Sequence, residues 1–279
     1  MIIISIKLLY KYGKPKALTL SYDDGVCQDI KLISILNKYN IKCTFNLNSG
    51  LWHDQTPWQT EGAVIYRMAP DKLPELYNGH EVAMHMVHHP RPLTLTDQQL
   101  KAETLGDQAN LQRLFGYKIR GLAYPFGDFD ERVVNILRSI GVAYARTVRQ
   151  TESFSLPKDF LVWDSTCHHN NHKLIELADS FLNTNQDLAL FYLWGHSYEF
   201  DLDNNWDVIE IFCKKVANHD DIWFATNIEI YDYINALNKL VMDEQSRTIT
   251  NYSDVPLWIE LGQKVYEIPA RSTLERAAL

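Results

Sequence analysis

Residues 17–25 read ALTLSYDDG, a short apolar run followed directly by two carboxylates and a glycine. Apolar runs of this length are typical of buried strands. Further runs of the same kind follow at residues 43–47, 80–84, 121–124, 188–193 and 222–225. The sequence therefore predicts six buried strands.

Helical patterns fall between these strands. Residues 30–39 place their apolar side chains on one helical face. Thr96 followed by Gln99 resembles a capping box that opens a second helix. Further helical patterns cover residues 130–140, 173–182, 206–216 and 228–240. Strands that alternate with helices predict an α/β fold with a parallel sheet or barrel.

The two ends of the chain have a different character. Residues 255–261 and 264–268 have β-like composition and predict a short hairpin, whereas residues 271–279 resemble a solvated tail. Residues 1–14 begin with an apolar stretch that is too short for a membrane span and has no cleavage site after it. We expect a first β-strand there, and a cytoplasmic location unless a leader is missing from the sequence.

The charge distribution excludes two classes of partner. The chain has 279 residues, with 27 Lys and Arg against 35 Asp and Glu, and a formal net charge of −8. The basic residues are scattered and form no basic run. Binding to nucleic acid or to an anionic membrane is therefore not expected. The short apolar stretch at the N-terminus likewise predicts no insertion into a membrane.

Unusual polar and turn residues follow four of the predicted strands. Asp23 and Asp24 follow the first, His85 the strand at 80–84, and His196 the strand at 188–193. Pro125 follows the strand at 121–124. In parallel α/β folds the chemistry lies at the carboxyl ends of the strands. We therefore expect these residues to meet at one face of the sheet.

The adjacent carboxylates of Asp23 and Asp24 repel one another, so a cation or an arginine must neutralise them. A metal ion is one answer. The alternative is an Asp-Gly turn in which Asp24 caps the next helix.

His85 and His89 are four residues apart, so a helical turn would bring both imidazoles to one side. With one carboxylate they would form a His2Asp site that has open positions for water and substrate. Zinc suits this ligand set, and cobalt, nickel or manganese are alternatives.

These motifs resemble those of the polysaccharide deacetylases of carbohydrate esterase family 4, the NodB-type domain. The family's first motif appears as Ser21-Tyr-Asp-Asp-Gly25 and its second as His85-Met-Val-His-His89. The third appears as Arg120 with residues 125–127, and the fifth ends at His196. The resemblance spans about residues 16–230. It implies a distorted (β/α)7-type barrel, which we assign to residues 1–245, with a short C-terminal β extension at residues 246–279.

The resemblance also implies a role for each matching residue. Asp23 would be the general base, and Arg120 would hold it by an ion pair. The metal ligands would be Asp24, His85 and His89. The backbone N–H of Phe126 would donate to the oxyanion, and His196 would be the general acid.

The sequence departs from the family pattern in three places. Met86 stands where the family prefers Ser or Thr. The fourth motif is not recognisable in residues 159–169, although Asp164 is a candidate to orient Arg120 or His196. The pair His168-His169 has no counterpart, and it predicts either a loop or a contact with substrate. The candidates for substrate binding are Trp194, Pro125, Tyr198 and His169.

The sequence predicts a metal-dependent hydrolase that removes acetyl groups from a carbohydrate. Two alternatives stay open at this point. One is a hydrolase of another C–N bond on the same scaffold, such as a cyclic amide or a formyl group. The other is a non-catalytic carbohydrate-binding protein.

Overall fold

The computed structural model describes residues 6–52, 58–60, 63–243 and 245–275. The strands within these residues are β1 (Ile6–Leu9), β2 (Lys16–Asp23), β3 (Thr44–Leu47), β4 (Trp58–Thr60), β5 (Ala63–Ile65), β6 (Glu81–Met84), β7 (Gly121–Ala123), β8 (Tyr144–Gln150), β9 (Trp163–Ser165), β10 (Cys167–His168), β11 (Ala189–Gly195), β12 (Ile222–Phe224), β13 (Leu240–Asp243), β14 (Thr248–Asn251), β15 (Leu257–Leu261), β16 (Lys264–Ile268) and β17 (Thr273–Glu275). The α-helices are α1 (Asp29–Lys38), α2 (Leu73–Leu76), α3 (Asp97–Phe115), α4 (Glu131–Ser139), α5 (Leu174–Asn183), α6 (Glu199–Leu202), α7 (Trp206–Val216) and α8 (Asn227–Leu237).

Within the described residues, nine strands form one parallel sheet. They lie in the order β10-β11-β2-β3-β6-β7-β8-β9, and β12 pairs with the first half of β2. Every residue of β2 is buried, because neighbours flank it and the core packs on it. The predicted mixed α/β fold with a parallel sheet is confirmed.

The sheet curves back on itself. Its two end strands, β9 and β10, are separated in the chain only by Thr166, yet β9 pairs with β8 and β10 pairs with β11. This curvature is what a distorted barrel requires. In the described part of the chain, no ladder of hydrogen bonds joins β9 to β10.

The predicted helices form at the predicted places. Thr96 and Gln99 make the expected capping box at the start of α3, and the helix ends at Gly116, whose φ of 76° suits a residue without a Cβ. Strand β8 was missed by the sequence analysis because Arg146 and its polar neighbours interrupt the apolar pattern.

The C-terminal segment adds antiparallel strands. The hairpin β15-β16 forms as predicted and pairs with β1, so the N-terminal strand lies outside the parallel sheet. The tail prediction is wrong for Thr273–Glu275, which pairs with β14 through backbone bonds; residues 276–279 lie outside the described part. The domain division at residue 245 stays a prediction. None of the helices in the described ranges combines the length and the apolar character needed to cross a bilayer.

Candidate active site

The carboxyl ends of β2, β6 and β11 bring the predicted site residues together. Asp23 is the last residue of β2, and His85 and His196 directly follow β6 and β11. The His85 Nε2 atom is 3.7 Å and the His196 Nε2 atom 3.8 Å from Asp23 Oδ2. Parallel strands put their carboxyl ends at one edge, which is why residues far apart in sequence converge here.

The segment from His85 to His89 is a loop, so the predicted helical turn is wrong. Met86 and His89 have φ angles of 61° and 51°, in the left-handed region. These two reversals still bring the Nε2 atoms of His85 and His89 to 3.1 Å from each other. The spacing of four residues therefore correctly predicted that His85 and His89 meet, although a loop and not a helical turn brings them together.

Two buried side chains brace this loop. The Asn48 amide donates to the backbone carbonyls of His85 and Met86. The Asp107 carboxylate accepts the His85 backbone N–H at 2.9 Å. Met86 itself is fully buried in the core. Asn48 and Asp107 were not found from the sequence, because neither lies in a motif.

Three ligand atoms converge in this loop region. Oxygen and nitrogen atoms of Asp24, His85 and His89 lie within 4.8 Å of one another. His85 Nδ1 lies 2.9 Å from the carbonyl oxygen of Ala123. A carbonyl only accepts, so Nδ1 carries the proton and the Nε2 lone pair of His85 points toward Asp24 and His89.

Electrostatics favour the neutral imidazoles that metal binding needs. Burial lowers the pKa of His85, and burial together with the neighbouring His85 lowers the pKa of His89 to about 4. Both rings are therefore unprotonated at one nitrogen at neutral pH. The donor set and its protonation state fit a divalent cation of the zinc type.

The two adjacent carboxylates each have their own arginine. Arg146 contacts Asp23, and the Arg67 Nη2 atom is 3.3 Å from Asp24 Oδ1. Charge neutralisation alone therefore does not require a cation. The support for a metal comes from the convergence of ligand-type atoms of Asp24, His85 and His89, not from the repulsion between the aspartates.

Asp23 is a buried but ionised carboxylate. Burial raises its pKa, but Arg146, His85 and His196, with the hydrogen bond from Asn46, lower it more, to about 2. The Asn46 amide donates to Asp23 Oδ1 at 2.8 Å. Arg146 binds the other oxygen and stacks on Trp194, with 4.2 Å between its guanidinium carbon and the ring centroid.

The predicted ion pair between Arg120 and Asp23 is wrong. Arg120 precedes β7 and pairs with Asp232 of α8. Arg146 takes its place because Arg146 is in register with Ala123, the last residue of β7, and so lies at the carboxyl edge of the sheet. A charged residue inside a strand-like stretch was the signal that could have identified it.

His196 contacts Glu199 and not Asp164. Glu199 Oε2 accepts the His196 backbone N–H at 3.1 Å, and Glu199 Oε1 lies 3.2 Å from His196 Nδ1. Asp164 contacts Thr147 and Arg149 instead. Burial lowers the pKa of His196, but Glu199 and Asp23 raise it more, to about 9.

Three of the four candidate substrate residues are buried. His169 lies between the rings of Tyr22 and Phe200, and Trp194 is covered by Arg146. Pro125 is also buried. These side chains offer no face to a sugar because packing already covers them. Tyr198 is half-buried beside His196, with 5.2 Å between the ring centroids, and its role in substrate binding stays a prediction.

Phe126, whose backbone N–H is the predicted oxyanion donor, also has an exposed ring at this site. Its ring is 50% exposed and packs edge-on against His89, with 4.5 Å between the centroids. Arg91 stacks on the same ring at 4.2 Å. The φ of 58° at Phe126 turns the chain sharply next to the ligand residues. Its N–H as an oxyanion donor stays a prediction.

A family model described as polysaccharide deacetylase matches residues 11–145. Chitin deacetylase 1 of Cryptococcus neoformans var. grubii is 30% identical over 125 residues, or 44% of this chain and 24% of that protein. The matched region therefore spans about a quarter of that curated relative.

Two solved structures share the fold over most of both chains. One, from Mycobacterium smegmatis and assigned to the polysaccharide deacetylases, has a TM-score of 0.60 at 16% identity and covers 84% of this chain and 95% of that one. The Xyl-CE4 domain of a multidomain xylanase from the hindgut metagenome of Trinervitermes trinervoides has a TM-score of 0.53 at 13% identity and covers 80% and 92%. At these identities the likeness concerns the fold alone.

Proposed function

Because the chain belongs to the polysaccharide deacetylase family through residues 11–145, we propose that it is a metal-dependent hydrolase that removes acetyl groups from a carbohydrate. The observation that carries this proposal is the position of Asp23. Its ionised oxygen lies 3.7 Å from His85 Nε2, next to the converging ligand atoms, and 3.8 Å from His196 Nε2. The residues that we propose as base, metal ligands and acid thus lie side by side.

Asp24, His85 and His89 would hold the cation. When bound, a divalent ion of the zinc type supplies a Lewis acid for the acetyl carbonyl and lowers the pKa of water toward about 7. The chain supplies the neutral imidazoles, and the Ala123 carbonyl orients one of them by accepting from His85 Nδ1. Arg67 contacts the Asp24 carboxylate and limits its rotation.

Asp23 would take the proton from the attacking water. Arg146 and Asn46 hold both of its oxygens, so the carboxylate neither rotates nor becomes protonated at neutral pH. The same contacts make it a weak base. Asp23 could therefore deprotonate only a water whose pKa has been lowered, and a cation held by the adjacent ligand residues would lower it.

His196 would give a proton to the leaving oxygen or nitrogen. With a pKa raised to about 9, it is protonated at neutral pH and can act as an acid. The Phe126 N–H would stabilise the oxyanion, and one such donor is typically worth about 3 to 4 kcal/mol. The exposed Phe126 ring and the half-buried Tyr198 are the apolar surfaces beside these groups that can pack against a sugar ring.

The test is acetate release from acetylated glycans by the protein loaded in turn with zinc, cobalt, nickel or manganese. We expect acetate from acetylated chitooligosaccharides or acetylated xylan, and loss of release after chelation with recovery on adding metal back. Hydantoin-like rings and formylated sugars are assayed in parallel. Turnover of those compounds without any acetate release would contradict the proposal, and so would saturable glycan binding with no hydrolysis.

A further inference from the structure

The Glu199 carboxylate lies among three imidazoles. Its Oε2 atom is 3.1 Å from His168 Nε2 and 3.3 Å from His169 Nε2, and its Oε1 atom is 3.2 Å from His196 Nδ1. Its Oε2 atom also accepts the backbone N–H of His196. One carboxylate therefore contacts His196 at two points and rests against a neighbouring pair of histidines.

The tautomer of His168 shows what this cluster can bind. His168 Nδ1 accepts the backbone N–H of Asn170 at 3.1 Å, so it carries no proton in the neutral ring. The proton of neutral His168 is then on Nε2, where it faces Glu199. An Nε2 atom that carries a proton cannot ligate a metal, so although His168, His169 and Glu199 have ligand-type atoms close together, the neutral His168 ring presents its N–H to Glu199.

The His169 ring is tightly packed beside the Glu199 carboxylate. Its ring stacks on Phe200 at 4.1 Å and on Tyr22 at 5.7 Å between centroids, and it is 1% exposed. A Cβ on Gly195 would lie only 2.0 Å from His169 Nδ1, so a glycine is needed there for the ring to fit. Close packing of this kind fixes the His169 ring beside the Glu199 carboxylate.

Charge adds to this geometry. The titratable groups around His196 include Asp23, Asp24, Glu199, His168, His169 and Tyr198. Burial raises the pKa of Glu199, but its contacts with His168 and His196 lower it well below its ordinary range. Glu199 is therefore an anion at neutral pH, and His196 Nδ1 faces it while His196 Nε2 faces Asp23.

We propose that Glu199 is a positioning residue for His196: its carboxylate, fixed by His168 and His169, keeps the imidazole protonated at Nδ1 and holds Nε2 toward the reacting groups. This inference rests on the proposed function, in which His196 is the general acid. It assigns a task to the His168-His169 pair, which is to fix the carboxylate that aligns the acid.

The test compares two leaving groups. An acid is needed when an amine or alkoxide leaves, but the nitrophenolate of 4-nitrophenyl acetate leaves without a proton. Glu199→Gln is expected to lower kcat on an acetylated glycan by roughly 10- to 100-fold. Hydrolysis of 4-nitrophenyl acetate should change by less than about threefold, in line with the smaller demand for an acid. Glu199→Asp should restore part of the glycan rate.

Three controls separate positioning from simple damage. Glu210→Gln removes an ion pair with Lys38 on another face and should leave both rates unchanged. His196→Ala combined with Glu199→Gln should be no slower than His196→Ala alone, because the two residues act as one unit. Bound zinc should be equal in wild type and Glu199→Gln. Equal losses on both substrates, or a loss of zinc, would overturn the proposal.

Imidazole NMR on the zinc-loaded protein gives a readout that does not depend on turnover. The pKa of His196 should be lower in Glu199→Gln than in the wild type, because the neutral amide no longer stabilises the imidazolium. If the wild type releases no acetate, the proposed function fails, while a fall in this pKa would still support the positioning role. An unchanged pKa would overturn that role even in an active enzyme.

Discussion

The guanidinium of Arg146 contacts the carboxylate of Asp23 across 123 residues of sequence, and both side chains are buried. Arg146 belongs to β8 and Asp23 to β2, which are not neighbours in the sheet. The contact therefore spans the interior of the curved sheet. It keeps an anion in a buried position where an isolated charge would be too costly.

Replacing Arg146 tests this contact directly. Arg146→Met leaves Asp23 as an uncompensated buried charge, so we expect a loss of about 3 to 5 kcal/mol in the free energy of unfolding, measured with urea. Arg146→Lys keeps a charge and should fold, but acetate release should fall because a single ammonium cannot reproduce the planar contact.

The matched control is Arg120→Met. That arginine pairs with a half-exposed Asp232, so its removal should cost no more than about 1 kcal/mol and leave acetate release unchanged. An inactive Arg120→Met beside a fully active Arg146→Lys would show that the assignment is reversed.

Asp23→Asn separates proton transfer from metal binding. The amide keeps the shape of the side chain but removes the base, so turnover should fall by roughly 10²- to 10⁴-fold while bound zinc stays the same. His85→Ala should lose both zinc and turnover, because it removes a ligand. Metal analysis and acetate release on the same samples provide the measurement, and normal turnover by Asp23→Asn would exclude it as the base.

Asn48→Ala tests the loop that carries His85. Without the amide, the carbonyls of His85 and Met86 lose their donor and the loop can shift. We expect zinc affinity to fall roughly 10- to 100-fold, as for other groups that orient a ligand residue, in a competition with a chelator. Asn110→Ala, whose amide contacts Ser49 nearby, is the control. Equal zinc affinities in all three proteins would count against the bracing role.

Glu81→Gln tests a buried carboxyl far from the ligands. Burial raises the pKa of Glu81 from its ordinary value of 4.5 to about 7. Hydrogen bonds from Ile228, Tyr144 and Thr44 lower this pKa, but burial has the larger effect. The contribution of Glu81 to the free energy of unfolding is fully present below pH 4.5 and is lost as the pH rises to 7. Between these two pH values the carboxyl ionises in the unfolded state but stays protonated in the folded state, which favours unfolding.

The free energy of unfolding of wild type minus that of Glu81→Gln should therefore fall between pH 4 and 8, by on the order of 3 kcal/mol. Asp29 and Asp107, whose pKa values are also raised to about 7, are present in both proteins and cancel in the difference. Parallel stability curves would show that Glu81 does not titrate in this range.

Local patterns were sufficient for much of the fold and part of the site. Apolar runs located six strands of the parallel sheet, because a strand buried on both faces needs apolar residues along its length. The capping box at Thr96 was readable because it depends on residues three apart. The spacing of His85 and His89 indicated a pair, although a loop and not a helix brings them together.

The sequence by itself therefore determined six strands of the parallel sheet and the polar residues that follow them, since these properties depend on neighbours in the chain. Only the tertiary structure decided that Arg146 and not Arg120 meets Asp23, and that Glu199 holds His196. Arg120 directly precedes β7, whereas Arg146 lies within β8. The register of β8 on β7 pairs Arg146 with the last residue of β7 and so puts it at the carboxyl edge of the sheet. Partner choice of this kind depends on strand register and packing across more than 100 residues, which no local pattern encodes.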